Sequence, residues 1–458
     1  MRDPVKNQII TYFTPSMKQS YPIDKITQPV SKFITQEHTG GIVLLFSVIV
    51  AIIWVNSPFQ HSYHQLWDLK LSLGFDKYVL NHPLHLWIND GLMALFFFVI
   101  GLELKREFMA GELSSVKKAS LPMFAALGGM LVPALIFFLF NTGKSSAHGW
   151  GIPMATDIAF ALALLSMAGK HIPSSVKVFL SALAVADDLG AVLVIAIFYN
   201  SHIALMPLTI GVWLLVLLLI GNKMGIRNTA FYLIIGFAVW IAFLLSGVHA
   251  TIAGVLVAFT IPAHTRINEI NYARLVKQHV ADFENEQPNN SSLITSEQHH
   301  IIDKIKKLSL DAETPLQKIE HALHPWVAFI IMPLFALANA GIVIGHDFFS
   351  SLINPVSLGV AIGLLVGKFT GVLLFTWLMV KFGAQLPAGS SWKQMTGVAL
   401  LAGVGFTMSL FISALAFDHA EMIDQAKYGI LLASLLAGIL GVAVLKAPTQ
   451  TIPAKEGL

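Results

Sequence analysis

Apolar residues in this chain gather into long runs separated by short polar connections. Read by hydropathy, the runs predict about twelve membrane-spanning helices, near 40–55, 87–104, 121–140, 152–168, 178–199, 205–220, 229–245, 250–261, 326–344, 356–380, 396–417 and 428–445. The fourth and eighth are short for a full crossing. The seventh and eighth are joined only by Ser246-Gly247-Val248-His249. Two connections have a pattern of their own. Residues 69–75 alternate apolar and polar, which predicts a strand, and 76–80 supply its hairpin partner. Residues 265–318 form a long polar insert, with Asn289-Asn290-Ser291-Ser292 and His299-His300, read as short helix mixed with disorder. The fold class is therefore an all-α membrane protein with a small extramembrane β-hairpin. It divides into an N-terminal tail (1–38), one membrane domain (39–446) containing the insert, and a C-terminal tail (447–458).

Charge orients these runs. With the N-terminus in the cytoplasm, 24 of the 29 Lys and Arg residues fall on that side. The outer connections hold Lys70, Lys77, Lys144 and Lys427, and Lys368 lies inside the tenth run. Basic residues collect on the cytoplasmic side of membrane proteins, so both termini are expected inside. The first 38 residues are polar, and no cleavable signal peptide is expected. Only 12% of residues are charged, against about 25% in a soluble domain. With no cysteine, disulfides, thiolate metal sites and thiol nucleophiles are excluded. The net charge of +3 gives no footprint for nucleic acid, and no cofactor is expected.

Asp157, Asp187, Asp188 and Lys368 lie well inside apolar runs. Asp187 and Asp188 sit near the middle of the fifth. Each carboxylate there costs about 2.5–3.5 kcal/mol on insertion scales, and residues that costly bind cations or carry protons. They lie about 100° apart around a helix, so both can border one cavity. Two neighbouring carboxylates resist double ionisation and titrate as a pair. A monovalent cation competes with protons for their oxygens, and competition for one site with alternating access is sufficient for exchange.

The fourth run reads Gly151-Ile152-Pro153-Met154-Ala155-Thr156-Asp157. Proline removes a helix hydrogen bond; a helix unwound at mid-membrane with Thr156 and Asp157 facing a cavity is one reading, and a simple proline kink the other. The eleventh run contains Gly403-Val404-Gly405-Phe406-Thr407, which fits a second break or close packing through small residues equally. Lys368 is a counter-charge to Asp157 or Asp188, or a lysine snorkelling to the interface. Glu103, Lys105, Arg106, Glu107 and Glu112 end the second run, and Glu320, His321 and His324 precede the ninth. Histidine titrates near neutrality, so these groups read as a pH sensor or as an ordinary charged belt.

Ala155-Thr156-Asp157, Ala186-Asp187-Asp188-Leu189-Gly190, Gly367-Lys368, Gly101-Leu102-Glu103 with Lys105-Arg106-Glu107, and Glu320-His321 with His324-Pro325-Trp326 together resemble the NhaA-type sodium–proton antiporters, over residues 40–445. The resemblance implies inverted repeats with the fourth and eleventh spans broken and crossing, a feature for which this family is itself a standard example. It implies an ion site at Asp187 and Asp188, with Asp157 and Thr156 nearby and Lys368 paired across the crossing. It implies pH sensing by Glu103, Arg106, Glu107, Glu320, His321 and His324, and a homodimer held partly by the hairpin at 69–80. It also implies a core bundle (119–200 and 354–446), an interface bundle (39–118 and 201–353), and residence in a bacterial inner membrane. Electrogenic exchange of sodium or lithium for protons follows as the expected activity, serving sodium and pH homeostasis. The long N-terminal tail and the insert depart from the family pattern, and the insert enters directly beside Glu320 and His324.

Two other classes compete. Intramembrane proteases place their aspartates on separate spans, one in a Gly-x-Gly-Asp setting absent here, and prenyl transfer needs further acid where Leu189-Gly190 stands. A sodium-coupled symporter on a similar scaffold is the closer alternative.

Overall fold

The computed structural model describes residues 39–75, 78–169, 171–199, 203–286, 293–345 and 352–447. The tail at 1–38, the Asn289–Ser292 stretch and nearly all of the C-terminal tail lie outside these residues.

The helices are α1 (Thr39–Val55), α2 (Gln60–Asp68), α3 (Leu84–Ala110), α4 (Val116–Asn141), α5 (Ile158–Ala168), α6 (Ser174–Phe198), α7 (Leu205–Lys223), α8 (Thr229–Ser246) and α9 (Ala250–Thr260). After them come α10 (Glu269–Asn285), α11 (Ser296–Ala312), α12 (Pro315–Asn339), α13 (Pro355–Lys381), α14 (Trp392–Ala402), α15 (Phe406–Ala416) and α16 (Ala420–Lys446). Among the described residues nine helical stretches are long and apolar enough to cross a membrane, or eleven if each bent pair is one span, with α9 as a shorter apolar helix. The bent pairs are α1 with α2, turned by 115°, and the 3₁₀ stretch Ser145–Met154 with α5, turned by 42°.

Hydropathy locates the spans but shortens many of them. The helix of the ninth predicted span, α12, starts at Pro315 rather than near 326. Thr314 caps it, its hydroxyl accepting from the Gln317 N–H at 3.1 Å, and Pro315 occupies the first turn, where a missing N–H costs nothing. Its first turns are amphipathic, with Leu316 and Ile319 buried and Gln317 and Lys318 outward. Such a stretch is invisible to a hydropathy window.

The strand expected at 69–75 is β1 (Lys70–Phe75), paired antiparallel with β2 (Tyr78–Pro83) in a register running from Lys70↔Pro83 to Phe75↔Tyr78. The partner strand therefore extends three residues beyond 80. The described part of the insert is two long helices, α10 and α11. Asn268 caps the first, and Thr295 with Gln298 forms a capping box on the second. Tyr272 and Ser309 meet across the pair at 3.0 Å. At its base the Arg266 N–H donates to Asp311 O, and the two side chains pair at 3.5 Å.

Candidate ion site and the acid–base cluster

The fourth segment approaches its break as a 3₁₀ stretch containing Pro153 and then runs extended through Ala155 to Asp157. Tyr199 holds that stretch in place. Its hydroxyl donates to His148 O at 2.7 Å and accepts from the Gly151 N–H at 3.2 Å. The eleventh segment stops at Gly403 and restarts at Phe406. The two breaks lie against each other, and each satisfies backbone groups that the other leaves free, as irregular backbone at membrane depth requires. The Asp157 N–H donates to Val404 O at 2.7 Å, Thr156 Oγ1 approaches Ala402 O at 2.9 Å, and Ser409 Oγ donates to Ile152 O at 2.8 Å.

Both readings of the glycines in the eleventh span prove correct. A Cβ on Gly405 would stand 2.7 Å from Ala155 O, and one on Gly403 2.6 Å from Leu364 O. The helix breaks here, and the chains approach too closely for a side chain. Close approach also places Lys368. Gly128 and Gly371 bring α4 and α13 into backbone contact, while Gly129 leaves room for the Val372 side chain one turn after Lys368. Gly363–Lys368 is a π-helical stretch of α13, a widened turn of the kind frequent at functional sites.

Asp157 begins α5 as its N-cap, with Oδ1 accepting from the Phe160 N–H at 3.0 Å. Oδ2 accepts from the Thr407 N–H at 3.1 Å and from the Thr407 hydroxyl. One carboxylate thus faces the N-terminal ends of two half-helices, where the helix dipoles favour negative charge. Thr407 was legible only as part of a glycine-rich break; nothing in the sequence marks it as a partner of Asp157.

Lys368 Nζ donates to Thr156 Oγ1 at 2.7 Å and contacts Asp187 Oδ2 directly. Thr156 Oγ1 lies 2.6 Å from the same oxygen. Asp187 is therefore the carboxylate paired with Lys368, rather than the Asp157 or Asp188 that the sequence alone suggested. The exposures of Thr156, Asp157, Asp187, Asp188, Lys368 and Thr407 are all 0–1%, so charge here is compensated by protein groups. Two oxygens stand apart: Asp187 Oδ1 and Asp188 Oδ1 are buried without a hydrogen-bond partner among the described residues. Unsatisfied carboxylate oxygens at this depth are costly, and hard oxygen donors suit a small hard cation.

The second cluster lies on the insert side, where α3 meets the start of α12. Arg106 Nε is 3.2 Å from Glu320 Oε1, and Arg106 Nη2 is 3.3 Å from Glu107 Oε1. Glu107 also accepts from the Glu112 N–H at 3.0 Å. Glu320 is buried, Glu103 and Glu107 are half-buried, and Arg106, His321 and His324 are exposed. Glu103 feels the charges of Glu320, Arg106 and Glu107, so the structure gathers these four groups, with His321 acting on Glu320. Lys105, read from the sequence only as one of the charged groups ending the second span, donates its ammonium to Phe259 O at 2.7 Å and to Ile261 O.

A sequence-family model described as Na+/H+ antiporter 1 matches residues 31–445. The chain is 48% identical over 427 residues to the Na(+)/H(+) antiporter NhaA of Oleidesulfovibrio alaskensis, covering 93% of this chain and 95% of that protein. It is 47% identical over 422 residues to Na(+)/H(+) antiporter NhaA 2 of Syntrophotalea carbinolica, covering 92% and 96%. With the Na(+)/H(+) antiporter NhaA of Acidithiobacillus ferrooxidans it shares 48% identity over 418 residues, covering 90% and 96%.

Proposed function

The chain belongs to the Na+/H+ antiporter 1 family, and from that premise we propose that it exchanges sodium or lithium for protons at Asp187 and Asp188, with Thr156 and Asp157 completing the site. The observation that carries this reading is the buried contact of Asp187 with Lys368 and Thr156 at the crossing of two broken segments, beside two unpartnered carboxylate oxygens. A cation drawn to those oxygens competes with the Lys368 ammonium for Asp187, because the dry site holds only so much positive charge. Protons returning from the other side restore the ammonium and expel the cation. More protons than sodium ions move per cycle on this reading, so transport is electrogenic.

The residue ranges 119–200 and 354–446 act as the moving core, with 39–118 and 201–353 as the stationary bundle. The insert side is cytoplasmic with both termini, the membrane is the bacterial inner membrane, and the hairpin joins two copies. Glu103, Arg106, Glu107, Glu320, His321 and His324 set the pH range in which the cation reaches the site. The Arg106–Glu320 pair supports this role, because the Arg106 side chain is 44% exposed while it contacts the buried Glu320.

The test is purified protein in vesicles with an imposed pH gradient. Sodium should dissipate the gradient, and Asp188→Asn should abolish that response. Undiminished exchange by this variant would remove the site assignment.

A further inference from the structure

The insert-side end of α9 is held by a row of side-chain and backbone donors. Lys105 on α3 donates to Phe259 O and Ile261 O, and Asn222 on α7 to Thr260 O at 2.7 Å. The Leu316 N–H of α12 donates to Pro262 O at 3.2 Å, and Arg227 to His264 O at 2.9 Å. A helix leaves its last carbonyls unpaired and carries partial negative charge there, so a lysine is well matched to that position. Sideways, α9 is locked on α3 by backbone contact. A Cβ on Gly254 would stand 2.3 Å from Ala94 O, and one on Gly101 2.7 Å from the Ala258 methyl. At the other end of α9, the His249 ring packs edge-on to Phe411 of α15, with centroids 6.4 Å apart. The start of α15 supplies Thr407 to Asp157.

We propose that Lys105 is a positioning residue for exchange: its ammonium fixes the end of α9 against α3, and so links the Arg106–Glu320 contact one residue away to the half-helix that holds Asp157. The proposal rests on the exchange reading above. The charged groups on the elements meeting at this corner are Glu103, Arg106 and Glu107 on α3, Lys223 on α7, Arg227 before α8, and Lys318, Glu320, His321 and His324 on α12. Lys105 donates to the last carbonyls of α9 and Arg227 to a carbonyl just beyond them, whereas Arg106 pairs with the carboxylates of Glu107 and Glu320. A contact chain alone does not establish coupling, so the test measures it.

Sodium-dependent proton flux is measured in vesicles across pH and sodium concentration for the unsubstituted protein, Lys105→Met and Lys105→Arg. Lys105→Met should raise the sodium KM roughly two- to fivefold, or displace the pH of half-activation by roughly 0.2–0.7, the scale that a cation at a helix C-terminus supports. Lys105→Arg should stay close to the unsubstituted protein, because a guanidinium reaches the same two carbonyls. If Lys105→Met does not accumulate as folded protein, Lys105→Gln, a shorter neutral donor, takes its place with the same expectation. An unaltered KM and pH profile in the neutral variant overturns the proposal, as does a Lys105→Arg variant as impaired as the neutral one. Absence of flux from the unsubstituted protein overturns the exchange reading and this inference with it.

Discussion

The ion crossing and the insert-side cluster both pair a basic residue with carboxylates, yet they are built on opposite principles. At the crossing Lys368 and Asp187 are both 0% exposed and bonded through Thr156. In the cluster the Arg106 side chain is 44% exposed, although Glu320 is only 6% exposed. Water screens the second pair and cannot reach the first, so the same kind of contact differs in what it costs to break. The crossing is where occupancy by one positive charge excludes another. The cluster is where small changes in solution are felt.

The largest expected effect comes from breaking the dry pair on one side. Asp187→Ala leaves a buried ammonium without its carboxylate and should lower stability by about 3–5 kcal/mol, whereas Asp187→Leu with Lys368→Met should cost far less. Thermal unfolding of the purified variants checks this, and a double variant no better than the single would erase the contrast between the regions. Gly405→Ala comes next, at about 1–3 kcal/mol by the same measurement, because its methyl meets Ala155 O. Thr407→Val removes a hydroxyl donor from Asp157 but leaves the backbone N–H, for about 1–3 kcal/mol. The smallest is the coupling between Arg106→Ala and Glu320→Ala in a double-mutant cycle, about 0.2–1 kcal/mol and weaker still at high salt. A coupling as large as that of the crossing, insensitive to salt, would place both regions in one electrostatic class.

Much of this was legible in the chain. Pro153 marks the break of the fourth segment, and the Gly403/Gly405 pair marks that of the eleventh, because backbone chemistry fixes both locally. Span limits were less legible, since α12 begins with an amphipathic turn whose apolar face is covered by protein rather than lipid. Thr295-Ser296-Glu297-Gln298 is a helix-start signal within the insert, and it was outweighed by the polarity around it. The choice of Asp187 over Asp157 and Asp188 as partner of Lys368 depends on how α4, α6 and α13 pack through Gly128, Gly129 and Gly371. No local pattern encodes that choice. Thr407 was hidden for a related reason, because its partner lies 250 residues away.

Thr156 carries one hydroxyl hydrogen but has two acceptors in range, Asp187 Oδ2 at 2.6 Å and Ala402 O at 2.9 Å. A turn about a single bond moves that hydrogen from carboxylate to carbonyl without shifting the main chain. Side-chain rotations of this kind take picoseconds to nanoseconds, against microseconds to milliseconds for rearrangements of whole bundles. Local rewiring around Asp187 can thus be finished long before any helix has begun to travel.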